Sequence, residues 1–293
     1  MKVGFIGLGR MGHPMAANIL KAGYELTIHD LRREIGHDLE TAGARWGDTP
    51  RETAVRTDVL LTCLPSASAA EEVALGDDGV FAGLGRGAVY VDTGTHPPAF
   101  MRRISGIGQA RDIRVLDAPI SGGVVGARDA TLTIFIGGLE EDLERVRPLL
   151  ETIGRKIVYI GPAGSGNTIK LINNLMLFVN YLGACEGVAM GIRAGIEPQL
   201  LLDVIVPSMG QSRIFEHAFA AFLNREAIGG TTDLAVKDTQ MGVELAEELG
   251  VPVEVATLVR DIFIRFRDEN DRGQEDYSAL IREYLKRSGV AWN

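Results

Sequence analysis

The sequence predicts an α/β domain built on a doubly wound parallel sheet, followed by an all-α domain. A chain of 293 residues exceeds the usual size of one hydrophobic core. Short apolar runs alternate with helical stretches over the first 160 residues, and this alternation predicts a parallel sheet. After the run Gly161-Pro162-Ala163-Gly164, only helical periodicity follows. The boundary is therefore predicted at residue 162, between domains at 1–162 and 163–293.

The predicted strands of the first domain are apolar along nearly their whole length, which is typical of parallel strands covered on both faces. Strands are expected at 2–6, 25–29, 58–64, 88–92, 113–117, 131–137 and 156–160, and helices between them at 11–21, 98–109 and 140–152. All seven strands are expected to join one sheet.

Glycine and proline residues divide the second domain into six predicted helices. They are expected at 166–194, 198–206, 211–226, 234–249, 252–269 and 276–287. The first is apolar from Leu171 to Met190, which is long enough to span a membrane, but Asn173, Asn174, Asn180 and Glu186 interrupt it. It is predicted to be a buried helix of a soluble protein.

The charge of the chain limits its partners. A net charge of −9 and a pI near 5.2 argue against binding to nucleic acid or to an anionic membrane, which both require basic surfaces. The expected partners are small molecules and other copies of the chain. Cys63 and Cys185 are too far apart to indicate a metal site or a disulfide framework, and no secretory signal precedes the first strand. We therefore expect a cytoplasmic protein without a metal site.

A glycine-rich turn after the first strand predicts a dinucleotide site. Gly7, Leu8, Gly9, Arg10, Met11 and Gly12 match G-x-G-x-x-G between a strand and a helix. The glycines allow a tight turn, close approach of a pyrophosphate and close packing of helix on strand, and the helix N-terminus offers free N–H groups to the phosphates. The first domain is therefore predicted to be of the Rossmann type.

Asp30 closes the second predicted strand, eighteen residues after Gly12. A carboxylate there accepts hydrogen bonds from ribose hydroxyls and repels a 2′-phosphate, which favours NAD. Arg32 and Arg33 follow directly and would tolerate that phosphate, so NADP stays open as the alternative. A solvated helix start explains these two arginines equally well.

Lys170 and Asn174 suggest the use of the cofactor. They lie four residues apart on one helix face, with about 6 Å between their Cβ atoms, and Phe178 and Tyr181 continue that face. A lysine among apolar side chains has its pKa lowered by desolvation toward the range useful for proton transfer. A surface lysine followed by two tolerated asparagines is the alternative interpretation.

A second cluster, Ser121-Gly122-Gly123, follows the strand that ends at Asp117. Ligands of open α/β sheets bind at the carboxyl ends of the strands. A serine with two glycines presents a hydroxyl and unhindered N–H groups, which suit a carboxylate. An ordinary flexible turn is the alternative.

Together these motifs resemble the β-hydroxyacid dehydrogenases, a family that includes 3-hydroxyisobutyrate dehydrogenase, tartronate semialdehyde reductase and the succinic semialdehyde and glyoxylate reductases. The resemblance covers nearly the whole chain and rests on several motifs in a fixed order. They are residues 5–16, Cys63-Leu64-Pro65, Asp92-Thr93-Gly94-Thr95, residues 117–123, residues 164–174 and Lys237-Asp238.

The resemblance implies a role for each site residue. Lys170 would be the catalytic acid/base, Asn174 would anchor the substrate, and Ser121, Gly122 and Gly123 would hold its carboxylate. Thr95 would lie near the nicotinamide, Leu64 and Pro65 along the cofactor, and Lys237 would reach the cofactor and substrate cleft, with Asp238 in a supporting role. A C-terminal domain like that of 6-phosphogluconate dehydrogenase, and a homodimer or homotetramer, are also implied.

Two departures from the family pattern concern the pocket. Many members have Ser-Thr where this chain has Gly94-Thr95, and many carry a phenylalanine about seven residues before Lys237, where residues 230–233 read Gly-Thr-Thr-Asp. We expect a lost aromatic ring and an added carboxylate to change the pocket floor, so the resemblance does not identify the substrate.

The predicted function is the reversible oxidation of a small 3-hydroxy acid to its semialdehyde with NAD or NADP. The partner is then the hydroxy acid or semialdehyde itself. Two alternatives remain: an imine reductase on the same scaffold, which typically lacks the lysine, and a catalytically silent NAD-binding module.

Overall fold

A computed structural model of the chain describes residues 1–269 and 271–290. The chain forms two compact units, Met1–Lys170 and Leu171–Asn293. The division lies within one long helix, whereas the predicted boundary at residue 162 precedes that helix.

The first unit contains nine strands and eight α-helices in its described residues, together with the start of a ninth helix. The strands are β1 Lys2–Ile6, β2 Glu25–His29, β3 Arg45–Trp46, β4 Val59–Thr62, β5 Val89–Asp92, β6 Arg114–Asp117, β7 Ile120–Ser121, β8 Leu132–Gly137 and β9 Gly154–Gly161. The helices are α1 Gly12–Lys21, α2 His37–Thr41, α3 Pro50–Ala54, α4 Ala67–Leu75, α5 Val80–Gly83, α6 Pro98–Ala110, α7 Gly123–Arg128 and α8 Glu140–Leu150, and a 3₁₀ turn spans Arg33–Gly36.

The strands form one sheet in the order β3-β2-β1-β4-β5-β6-β8-β7, with β9 beside β8. Strands β1 to β6 pair in parallel, which confirms the predicted parallel-dominated α/β fold. Strands β8 and β9 are the exceptions, since β8 runs antiparallel to β6 and β7 and β9 pairs in parallel with β8. Only ten residues separate Ser121 from Leu132, fewer than the dozen or so that a parallel crossover needs.

Successive residues along the central strands enter cores on opposite faces of the sheet. Phe5 and Leu61 belong to one apolar cluster, whereas their neighbours Ile6 and Leu60 belong to another. Because both faces are covered, these strands read as continuous apolar runs rather than as an alternating pattern.

The second unit is helical. Helix α9, Ser165–Arg193, starts in the first unit and continues into the second, followed by α10 Pro198–Ile205, α11 Arg213–Leu223, α12 Thr232–Glu248, α13 Glu254–Asp268 and α14 Ala279–Arg287. Its core includes four packed aromatic rings, Phe178, Tyr181, Phe263 and Tyr277, whose centroids lie 5.2 to 6.5 Å apart. The predicted face of Phe178 and Tyr181 thus packs into an aromatic core.

Helix α9 is less buried than its apolar sequence predicts. It is long and apolar enough to cross a membrane, yet only 39% of its most apolar window is buried within the chain. Tyr181 is fully buried, whereas Ile172, Met176 and Met190 are 44%, 62% and 73% exposed. The prediction of a buried helix therefore holds for the face that carries Tyr181 and not for the face of Ile172, Met176 and Met190.

Candidate active site

Most predicted site residues of the first unit lie just beyond the carboxyl ends of parallel strands. Gly7 follows β1, Asp30 follows β2, Leu64 follows β4 and Thr95 follows β5, and Ser121 lies just past the end of β6. Because parallel strands end at the same edge of a sheet, the topology places these segments along one edge, where open α/β sheets bind ligands.

The glycine-rich turn is tightly packed at two glycines and open at the third. A Cβ on Gly12 would lie 1.8 Å from the Gly7 carbonyl oxygen, and a Cβ on Gly7 would lie 2.4 Å from the Cys63 carbonyl oxygen. A Cβ on Gly9 would meet no atom within 4 Å. Gly7 and Gly12 are therefore required by packing, and Gly9 leaves open space at the N-terminus of helix α1, as a bound pyrophosphate requires.

Asp30 is held in place by backbone groups. Its Oδ2 accepts the Leu8 N–H at 2.8 Å and its Oδ1 accepts the Arg32 N–H at 3.0 Å. Each carboxylate oxygen has a second lone pair for a hydroxyl donor. Arg33 is engaged elsewhere, since its guanidinium lies 3.1 Å from Glu40 and packs over the Trp46 ring. The residues present therefore fit a dinucleotide.

The structure explains the glycine at position 94. A Cβ on Gly94 would lie 2.2 Å from Nε2 of His96, so the missing side chain makes room for a fully buried imidazole. That Nε2 lies 3.0 Å from Oδ1 of buried Asp92. Burial alone would raise the pKa of Asp92, but the His96 ring and the Gly94 N–H hold it below its ordinary value. Thr95 thus lies in a segment whose buried Asp92 and His96 side chains contact each other.

Ser121, Gly122 and Gly123 lie where β7 ends and α7 begins, with Ser121 half-buried and both glycines exposed. The φ angles of Gly122 and Gly123 are 138° and 63°, in the region that disfavours other residues. Ser121 lies in the short strand β7, paired with Thr133 of β8, rather than in a free turn. The pairing fixes the serine while the two glycines leave their backbone accessible to a ligand.

The start of helix α9 is anchored by Asp117 at the end of β6. Asp117 Oδ1 accepts the Gly164 N–H at 2.7 Å, and its Oδ2 accepts the Asn167 N–H at 2.8 Å. These are backbone donors that a helix N-terminus leaves without intrahelical partners. Burial raises the pKa of Asp117, and the two hydrogen bonds oppose that shift. Lys170 follows one turn later and is only 9% exposed, so it is not a surface lysine.

In the second unit, Asn174 is buried and held by Asp238. Asn174 Nδ2 donates to Asp238 Oδ2 at 2.7 Å, and its Oδ1 accepts from Asn173 at 3.0 Å. Lys237 Nζ lies 3.4 Å from the other oxygen of Asp238, the distance of an ion pair. Asp238 therefore connects helix α12 to the asparagine on α9.

The structure shows what surrounds Gly230 and Asp233, two of the residues at which this sequence departs from the family pattern. A Cβ on Gly230 would lie 2.6 Å from the Tyr277 ring, so an aromatic side chain fills this space from another part of the chain. Asp233 accepts a hydrogen bond from Gln274 at 2.9 Å and faces the loop that contains Gly273. Gly230 thus packs against an aromatic ring and the Asp233 carboxylate takes part in a loop contact, while the expected change in the pocket floor stays a prediction.

Sequence reasoning missed His96 and Asn167. The His96 N–H donates to Asn167 Oδ1 at 2.8 Å, and both residues are fully buried. No sequence pattern relates these two residues, because 71 positions separate them. One is a histidine beside Pro97 and the other an asparagine in the first turn of a helix. No group of His, Cys, Asp or Glu in the described residues has the geometry of a metal site.

Two family models together match nearly the whole chain. One, described as the NAD binding domain of 6-phosphogluconate dehydrogenase, matches residues 2–161. The other, described as NAD-binding of NADP-dependent 3-hydroxyisobutyrate dehydrogenase, matches residues 164–284.

Individual relatives are similar over almost their full length. The 2-(hydroxymethyl)glutarate dehydrogenase of Eubacterium barkeri is 33% identical over 99% of this chain and 97% of its own. The NAD-dependent L-serine dehydrogenase of Pseudomonas aeruginosa is 33% identical over 95% of this chain and 96% of its own. The structure of Mycobacterium tuberculosis 3-hydroxyisobutyrate dehydrogenase with L-serine has a TM-score of 0.88 at 28% identity, covering 96% and 98% of the two chains.

Proposed function

The chain belongs to the β-hydroxyacid dehydrogenase family, and we propose that it reversibly oxidises a small 3-hydroxy acid to its semialdehyde, with Lys170 as general acid/base. The imine reductase and the silent module are not favoured, because relatives that are 33% identical are dehydrogenases of hydroxy acids.

Lys170 moves the proton in this reaction. As a neutral amine it takes the proton of the substrate hydroxyl, and as an ammonium it returns that proton to the carbonyl oxygen in reduction. Its burial supports this role, since a charge acts more strongly on a developing alkoxide where water is largely excluded. The backbone of Gly122 and Gly123 binds the substrate carboxylate, and Asn174, oriented by Asp238, anchors the substrate.

The nicotinamide cofactor, when bound, supplies the hydride acceptor. Gly9 gives the pyrophosphate room to approach the N-terminus of helix α1, and Asp30 accepts the ribose hydroxyls. Leu64, whose Cδ2 would contact a Cβ on Gly7, lies beside the glycine-rich turn.

The observation that carries the proposal is the burial of Lys170 one turn after a helix start that Asp117 fixes to the sheet. The test is turnover of 3-hydroxyisobutyrate, 3-hydroxypropionate, serine, glycerate and a sulfonate analogue with NAD and with NADP, in both directions. Absorbance of the reduced nicotinamide gives the rate. Tight cofactor binding without turnover of any compound would favour the silent module instead.

The environment of Asp30 supports NAD as the preferred cofactor. The carboxylate repels a 2′-phosphate, and of the two arginines that would tolerate one, Arg33 lies against Glu40 and the Trp46 ring. We expect Asp30→Ser to weaken NAD binding by about tenfold, or ~1.4 kcal/mol, and to narrow the ratio of the NADP and NAD dissociation constants. Fluorescence titration of both reduced cofactors measures this. Asp77→Ser, at an exposed position, is the control, and an unchanged ratio in Asp30→Ser would contradict the assignment.

The exposed face of helix α9 supports a homo-oligomer. Ile172, Met176 and Met190 form an apolar stripe, and Gly183 between them is open to close approach. A second copy of the chain would cover this stripe, so the mass in solution is expected to be a multiple of 31.6 kDa. Light scattering after gel filtration measures it. Met176→Lys should lower that mass and Leu139→Lys, in the first unit, should not; a monomeric wild type would refute the oligomer.

The two cysteines support a reducing compartment such as the cytoplasm. Neither takes part in a disulfide, and burial raises the pKa of the Cys185 thiol to about 12. A thiol of this kind stays protonated and unreactive at neutral pH.

A further inference from the structure

The first turn of helix α9 is bonded to the ends of two neighbouring strands. Asp117, at the end of β6, accepts two backbone N–H groups of this turn. Asn167, in the turn itself, accepts the His96 N–H from the segment after β5 at 2.8 Å. Lys170 lies three residues after Asn167, on the same side of the helix. The Asn167 side chain is thus a direct link between the Thr95 segment and the turn before Lys170.

The His96 end of this link is deeply buried. The imidazole is fully buried, lies 3.0 Å from Asp92 and occupies the space left by Gly94. Asp92 in turn accepts hydrogen bonds from Tyr90 at 3.0 Å and Thr62 at 3.1 Å, both fully buried or nearly so. The His96 N–H is therefore presented from a fixed point of the sheet.

The Asn167 end carries an energetic cost. Its Nδ2 is buried and makes no hydrogen bond among the residues that the structure describes. A buried donor without a partner destabilises the folded state. An apolar side chain of similar volume would avoid that cost but would leave the His96 N–H without its acceptor. The Oδ1 atom is therefore what this position contributes.

We propose that Asn167 is a positioning residue for Lys170. Its bond to His96 sets the rotation and height of the helix turn that carries the lysine, relative to the segment that carries Thr95. This inference rests on the proposed function, because it assigns Asn167 a role in the proton transfer by Lys170.

The test compares five variants for kcat, KM and reduced-cofactor binding. Asn167→Ala removes the hydrogen bond to His96. Asn167→Leu also removes this bond but keeps the volume of the side chain, so the leucine variant can be used if the alanine variant folds poorly. Both should lower kcat about tenfold with KM and cofactor affinity within about twofold, since small displacements of catalytic groups have large effects. Thr168→Val is the matched control. In the described residues, Thr168 Oγ1 donates only to the Gly164 carbonyl oxygen of its own helix turn, at 2.9 Å. The kcat of Thr168→Val should stay at the wild-type value.

The fourth and fifth variants, Lys170→Ala alone and Lys170→Ala with Asn167→Leu, separate positioning from general stability. If Asn167 acts through Lys170, adding Asn167→Leu to Lys170→Ala lowers kcat no further. An equal tenfold loss in that background, or wild-type kcat in a folded Asn167→Leu, would overturn the proposal.

Hydrogen exchange gives a readout independent of activity. The His96 amide should exchange faster in Asn167→Leu than in the wild type, and unchanged exchange would overturn the link. If the wild type turns over no 3-hydroxy acid, the proposed function fails, and the exchange result still reports separately on the link.

Discussion

Replacing Lys170 with alanine is expected to lower kcat by a factor of about a hundred or more, the usual scale for losing general acid/base catalysis. The substrate hydroxyl then has no group positioned to take its proton, and water is a poor replacement because this position is only 9% exposed. Cofactor binding should be retained, since Lys170 lies on helix α9 and the dinucleotide residues follow β1 and β2.

Steady-state rates and fluorescence titration of the reduced cofactor measure the two effects separately. Lys156→Ala is the matched control, because Lys156 is exposed on strand β9. Lys170→Arg keeps a positive charge that does not lose its proton near neutral pH, so it should also be inactive in oxidation. Near-normal turnover by Lys170→Ala with intact cofactor binding would refute the assignment.

Gly12→Ala and Gly9→Ala are expected to impair cofactor binding for different reasons. A Cβ at position 12 would lie 1.8 Å from the Gly7 carbonyl oxygen, and a backbone atom has little freedom to move away. Gly12→Ala should therefore destabilise the first unit by about 3 kcal/mol. A Cβ at position 9 meets nothing, so Gly9→Ala should keep the wild-type Tm but raise the cofactor Kd at least about tenfold, because the methyl group occupies space for the pyrophosphate.

Thermal unfolding and cofactor titration distinguish these outcomes. Gly106→Ala is the control, since a Cβ there also meets no atom within 4 Å but the residue lies in helix α6, away from the glycine-rich turn. Unchanged cofactor affinity in Gly9→Ala would show that this glycine does not face the dinucleotide.

The strands of the parallel sheet were predictable because each is recognised from a few consecutive residues. Strands β1 and β2 have the predicted bounds, and β4, β5 and β6 begin or end within two residues of the prediction. A strand covered on both faces must be apolar throughout, so the signal lies in a few consecutive residues. The reversal of β8 was not predicted, because strand direction depends on the length and course of a connection rather than on the strand's own residues.

The candidate site also has features that the sequence predicts and features that it leaves open. The glycine fingerprint, Asp30, Lys170 and Asn174 could be predicted as site residues, because dinucleotide binding and proton transfer each need particular residue types at a short, fixed spacing. The spacing of Lys170 and Asn174 did not decide whether the lysine is buried or exposed, and the structure shows that it is buried.

The chain's order of motifs thus determined its family and its α/β fold with a helical second domain, and it predicts the residues that its chemistry would use. Tertiary structure alone decided how those residues are held: Asp117 and Asn167 anchor the start of helix α9, Gly94 accommodates the His96 ring, and Tyr277 fills the space above Gly230. The physical reason is that all of these contacts except the one between Gly94 and His96 join residues dozens of positions apart. Their energy depends on which atoms fit into one volume, and no periodicity or motif of a single segment records that fit.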